Sequence, residues 1–271
     1  MATIEEIIDL KADNQKALNQ QKLKEIFSEV LLGVFSKANK NTFEEILTTT
    51  SINLSAYGLS GNLKGFNHLK SLTTLNLSDN YNIEDIGDLS GMVSLVNLQL
   101  QYNKLQDVGE LSNLTALTTL RLNHNLLTSV GFLDKLTSLI TLECQSNAIS
   151  KLFYEYGQGV NLLTNLVTLR CNQNQITHLG NVSNLTKCVT FVAHSNKIPT
   201  SGIDTILSQF KTLLDSQAPG DRKLSTLELH GADMGTPTGG VDNTSGKSLA
   251  LDYQVTVKVN VDGLTYQYPK S

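Results

Sequence analysis

Few residues in this 271-residue chain have the types and spacing that chemistry demands. His194 and His230 fall on neighbouring strands in the reading developed below, with Glu228 close by. Two imidazoles and a carboxylate are a possible ligand set for a transition-metal ion. Three ligands on an exposed sheet also need a supporting shell, so no metal site is expected. The segment GGVDNTSGKS invites a phosphate-loop reading, but that motif needs four residues between its glycines. Here five residues separate Gly240 from Gly246, and the segment reads instead as a linker with a helix start. No Ser-His-Asp set and no paired carboxylates stand out. The expectation is a non-enzyme without catalytic residues or cofactor.

Residues suited to binding are more numerous. Gln99, Arg121, Glu143 and Arg170 recur at matching places along the chain, and the alternating charges of the last three suggest mutual pairing. A second set reads Gln101, Asn123, Gln145, Asn172, His194 and His230, with Tyr102 and His124 beside it. Amides, hydroxyls and an occasional aromatic suit protein surfaces or glycans. Phe153, Tyr154 and Tyr156 form the densest aromatic cluster, in a segment that either packs locally or loops out to a partner. Ile4, Ile7 and Ile8 make a short apolar stripe that either extends a helical cap or docks on another protein.

These residues are positioned by a repeat. The stretch LTTLNLSDN, ending at Asn80, follows L-x-x-L-x-L-x-x-N, and the frame returns at Asn103, Asn125, Asn147, Asn174 and Asn196. The intervals are 23, 22, 22, 27 and 22 residues. A fixed period in this range marks a solenoid. The fourth and sixth frame positions, such as Leu75 and Leu77, alternate with polar residues as in a short strand with one buried face. No single repeat can bury that face alone, so the strands must stack in parallel. Each asparagine then sits where the chain turns inward, its amide bonding backbone groups the turn leaves unpaired. After it, apolar residues step by three (Leu105, Val108, Leu111, Leu114, Leu117), which suits tight 3₁₀-like turns. Gly87, Gly109, Gly131 and Gly180 mark a bend where a side chain would clash.

These motifs resemble the bacterial 22-residue class of leucine-rich repeat proteins, which includes the internalins, over about residues 50–235. The resemblance implies an α/β fold: a curved right-handed solenoid with a parallel sheet on its concave face. The expected organisation is a helical N-terminal segment and cap (1–48), the solenoid (49–235), and a C-terminal cap of helix plus β-hairpin (236–271). In the N-terminal segment, residues 22–37 carry a strong apolar stripe expected to cover the open end of the sheet. In the cap, the order helix, L-x-x-L-x-L-x-G, Pro237-Thr238-Gly239, short helix and final strand is similar to the C-terminal unit of bacteriophage and gut-bacterial leucine-rich repeat proteins. That second resemblance implies a virion-associated protein made in the host cytoplasm, binding a neighbouring virion protein, a host surface protein or a surface glycan. An internalin-like protein of the bacterial cell surface is the alternative.

Composition agrees. Net charge is −4, which argues against nucleic acid as the main partner. No apolar run is long enough to span a membrane, and the acidic start MATIEEIIDL does not read as a secretory signal. Cys144, Cys171 and Cys188 fall at inward positions and read as buried free thiols, which suits a reducing compartment.

Overall fold

The computed structural model describes residues 43–109, 111–130, 133–152, 162–231, 233–240, 243–261 and 264–269, together with Gln21 and Leu32. The stripe Ile4, Ile7, Ile8 and the cluster Phe153, Tyr154, Tyr156 lie outside them, as does most of the expected N-terminal cap. Leu32, within the segment assigned to that cap but outside its stripe, is helical and packs against the core.

Each frame forms a three-residue strand. After the short helix α1 (Phe43–Leu47) come β1 (Ser51–Asn53), β3 (Thr74–Asn76), β5 (Asn97–Gln99), β6 (Thr119–Arg121), β7 (Thr141–Glu143), β8 (Thr168–Arg170) and β9 (Thr190–Val192). They pair in parallel in that order, then continue to β10 (Thr226–Leu229), β11 (Thr256–Val261) and β12 (Leu264–Gln267), the last pair antiparallel. The register aligns Leu75, Leu98, Leu120, Leu142, Leu169, Phe191 and Leu227 in one row, and all are fully buried. Truncating a leucine in such a row costs about 2–5 kcal/mol, because the stacked neighbours cannot close the hole.

The asparagines form the expected inner ladder. Asn125 Nδ2 donates to the carbonyls of Leu100 and Leu122, each at 3.0 Å, while its Oδ1 accepts from Leu105 N at 3.0 Å. Asn80, Asn147, Asn174 and Asn196 repeat this three-way bonding. On the convex side, bonds three residues apart, such as Leu114 N to Leu111 O and Leu117 N to Leu114 O, explain the apolar step of three. Gly87, Gly109 and Gly180 have φ of 67°, 66° and 73°. Crowding is not the common reason: a Cβ on Gly109 would meet nothing within 4 Å. The column exists because the bend is left-handed. Gly131 lies outside the described residues.

An unforeseen second sheet pairs β2 (Ser60–Asn62) with β4 (Asn82–Asp85) in parallel. At the far end, helix α2 (Thr200–Ser216) buries Ile203, Ile206, Leu207, Phe210, Leu213 and Leu214. Phe210 meets Phe191 edge-on at 5.1 Å. Thr238 of the Pro-Thr-Gly stretch donates from its amide (2.8 Å) and from its hydroxyl to Asp204 of α2. Asn243 caps helix α3 (Thr244–Leu251) by accepting from Gly246 N at 2.8 Å, so the GGVDNTSGKS segment does start a helix. Gly246 lies against the buried Tyr268, whose hydroxyl donates to Gly240 O at 2.7 Å.

Candidate binding surface

Solvent-side strand residues stack into the columns that the frame predicts. Thr74, Asn97, Thr119, Thr141, Thr168, Thr190 and Thr226 align, as do Asn76, Gln99, Arg121, Glu143, Arg170, Val192 and Glu228. Arg121 Nε donates to Glu143 Oε2 at 2.9 Å, and Arg170 Nε lies 3.8 Å from Glu143 Oε1. A pairing at such half-exposed side chains adds little stability. A guanidinium carries five N–H donors, more than this arrangement uses.

The third column lies just past the strands, where the backbone ladder continues. Asp79 N bonds Gln101 O, Tyr102 N bonds Asn123 O, His124 N bonds Gln145 O and Ser146 N bonds Asn172 O. Gln101 Oε1, Asn123 Oδ1 and Gln145 Oε1 are buried without a hydrogen-bond partner among the described residues. Three neighbouring orphan acceptors are unusual, since buried polar groups are nearly always bonded.

Beside that column the chain turns through left-handed residues: Asp79, Tyr102, His124, Ser146, Gln173 and Ser195 have φ between 53° and 60°. The repetition makes this a property of the turn rather than a local strain. It also throws the side chains outward onto one ridge. Tyr102 and His124 stack at 4.4 Å, and Tyr81 lies 6.4 Å from Tyr102. Tyr81 is 61% exposed and Tyr102 39%.

At the C-terminal end of the surface, His194 and His230 stack at 4.5 Å. Glu228 Oε2 lies 4.0 Å from His194 Nε2 and 3.7 Å from His230 Nε2. Burial lowers the pKa of His194, with the neighbouring His230 charge adding to it, and burial likewise lowers that of His230. Both imidazoles are thereby favoured in their neutral form. Burial would raise Glu228, but the ammonium of Lys258, 2.8 Å from Oε1, holds its carboxyl below the ordinary value.

The family model for leucine-rich repeats (two copies) matches residues 93–135 and 115–157, the stretch that supplies β5, β6 and β7. Those repeats are leucine-rich repeats, and the fold is a solenoid of that kind. No curated protein matches its sequence. Among solved structures it is similar to the functional domain of InlJ from Listeria monocytogenes (20% identity over 82% of this chain, TM-score 0.49). It is also similar to a leucine-rich repeat protein of Leptospira interrogans (23% over 72%, TM-score 0.48) and to the plant peptide hormone receptor RGFR1 in complex with RGF2 (20% over 72%, TM-score 0.54). The matches span 55%, 44% and 30% of those three chains. At such identities the plant receptor shows the shared fold alone.

Within the leucine-rich repeat frame, the structure unites Gln99, Gln101, Tyr102, Arg121, Asn123, His124, Glu143, Gln145, Arg170 and Asn172 on one face, with His194 and His230 at its end. Sequence reasoning missed Tyr81. Its signal is the 23-residue interval between Asn80 and Asn103, one longer than the two repeats that follow, which places an extra left-handed residue (φ 64°) after Asn80. Cys144, Cys171 and Cys188 are buried and free, as expected. Among the described residues, no helix is long and apolar enough to cross a membrane.

Proposed function

We propose that this protein is a non-enzymatic binding module whose concave face takes an extended polypeptide segment from a protein partner. The carrying observation is the ridge of Tyr81, Tyr102 and His124 running beside the unpartnered oxygens of Gln101, Asn123 and Gln145. A polypeptide offers backbone N–H donors at regular spacing, and small side-chain rotations let those oxygens accept them. The stacked rings supply flat apolar area at little entropic cost, and Arg121 and Arg170 flank the amide column. Tyrosine and arginine are the residue types that most often dominate binding energy.

Selection of a displayed random-peptide library on the immobilised full chain tests this, with a glycan array in parallel. The expected result is enriched peptides whose affinity falls about 30-fold, a hot-spot loss near 2 kcal/mol, with Tyr102→Ala or Arg121→Ala. The melting temperature should stay unchanged. Peptides that bind both variants as tightly as the original protein, or binding to glycans alone, would overturn it.

The same reading places the module on a bacteriophage virion, with an internalin-like cell-surface protein as the alternative. Its support is the likeness of the Pro237-Thr238-Gly239 unit to phage-encoded repeat proteins. Mass spectrometry of purified particles from the source tests it: finding the chain only in the surface-protease-sensitive fraction of bacterial cells favours the alternative.

A further inference from the structure

His194, Glu228 and His230 form the cluster of His, Cys, Asp and Glu side chains that could converge on one ion among the described residues, their ligand atoms all within 4.8 Å of one another. The cluster sits on the seam between the last repeats and the C-terminal strand pair. His194 follows β9, Glu228 lies on β10 and His230 follows it. The backbone holds them side by side: Ala193 N bonds Glu228 O and Ser195 N bonds His230 O.

The outer atoms of all three side chains are already engaged. His194 Nδ1 lies 3.1 Å from Ser195 Oγ, and His230 Nδ1 lies 3.2 Å from Thr265 Oγ1 on β12. Lys258 on β11 donates to Glu228 Oε1 at 2.8 Å. When each Nδ1 donates its proton to the neighbouring hydroxyl, each Nε2 is a bare lone pair. These two nitrogens and Glu228 Oε2 then lie within 4.8 Å of one another. At 4.0 and 3.7 Å neither nitrogen is close enough to hydrogen-bond the carboxylate. In that tautomer three acceptors cluster with no donor between them, and each has an outer partner. This is the supporting shell that ligands of a metal require, and no feature of the repeat frame alone predicts it.

We infer that His194 Nε2, His230 Nε2 and Glu228 Oε2 bind a divalent transition-metal ion of the zinc class. Two imidazoles and one carboxylate suit such an ion, whereas magnesium and calcium prefer oxygen ligands throughout. Ligand bonds of about 2.0–2.2 Å in a tetrahedron place the ligand atoms about 3.3 Å apart. Each atom reaches that spacing by moving less than about 1 Å, but the rings, 10° from parallel, must turn about their χ bonds until both lone pairs point at the ion. Three protein ligands leave a fourth position for water or for a donor atom of a bound partner. The supporting hydroxyl and ammonium come from β12 and β11, so the bound ion ties the C-terminal strand pair to the last repeats.

The test is calorimetric titration of the chelator-treated full chain with zinc chloride, and separately with magnesium chloride, alongside circular dichroism. The expected result is one zinc ion per chain and no magnesium binding. His194→Ala, His230→Ala and Glu228→Gln should each weaken zinc binding by more than about tenfold. Thr265→Val, which touches only the outer partner of His230, should weaken it by roughly tenfold while folding normally. His178→Ala should leave it unchanged. An original protein that takes up no zinc, folded His194→Ala and His230→Ala proteins that bind as tightly as the original, or a Thr265→Val protein of unchanged affinity would overturn the assignment.

Discussion

The asparagine ladder contains its own control. Asn125→Ala strands one buried backbone group, the amide of Leu105, because the carbonyls of Leu100 and Leu122 also accept from Asn103 and Asn147. Asn103→Ala strands none: the carbonyls of Leu77 and Leu100 also accept from Asn80 and Asn125, and Asn103 Oδ1 has no partner among the described residues. The cause is visible one repeat earlier. Lys104, Leu126, Ala148, Gln175 and Lys197 bond the carbonyls of Ile83, Leu105, Leu127, Ile149 and Ile176, so those five residues are equivalent. The last four each donate an amide to the next asparagine. Ile83 instead lies inside β4, paired with β2, after the extra residue Tyr81. An unmet buried backbone group costs about 1–3 kcal/mol. Asn125→Ala should therefore cost about 1–3 kcal/mol more than Asn103→Ala. Urea unfolding by linear extrapolation, with the slope unchanged, measures both. A loss for Asn103→Ala equal to or larger than that for Asn125→Ala would refute the bookkeeping.

Three further outcomes follow from the packing. Leu120→Ala should cost about 2–5 kcal/mol by chemical denaturation, while Thr119→Ala, its half-buried neighbour in the outer column, should cost under about 1 kcal/mol. Gly246→Ala places a Cβ 2.5 Å from the Tyr268 ring and should destabilise the C-terminal cap by about 1–3 kcal/mol, seen as faster amide exchange in β11 and β12. Burial pushes the Cys144 and Cys188 thiols up to about 12, and Cys171 well above the ordinary 9.0. A thiol reagent should therefore label none of the three before unfolding. A folded-state pKa raised in this way contributes stability that is complete below about 9 and is lost as pH rises toward about 12, roughly 1.4 kcal/mol per thiol by about pH 10; Cys144→Ala should lose correspondingly less between about pH 8 and pH 10.

The solenoid was legible because its information is periodic. Seven leucine or phenylalanine positions and six asparagines repeat one local argument, so an error at one repeat is corrected by the next. The concave columns came with the register, and the pairing of Arg121, Glu143 and Arg170 followed from adjacency on β6, β7 and β8. The β2–β4 sheet was not legible: SGN and NIED carry no alternation strong enough to mark strands, and they pair only because neighbouring repeats bring them together. The bend glycines were found by column, but the reason given for them was wrong at Gly109, where the left-handed φ decides and no neighbour crowds the site.

The candidate surface shows where a sequence frame stops being enough. The frame places His194 and His230 on adjacent turns and Glu228 two residues from the second. That is a ligand set without a reason to hold still, and on those grounds no metal was expected. What changes the balance is Thr265 and Lys258, which lie 35 and 30 residues beyond His230 and Glu228 and belong to no repeat. They reach the cluster only because β11 joins the parallel sheet beside β10 and β12 folds back on β11. A cap that closes the end of a solenoid thus also supplies the outer partners that orient a site on its last turns. Thr265→Val separates the two roles: it leaves the packing of the cap in place, and it should still weaken the hold on zinc.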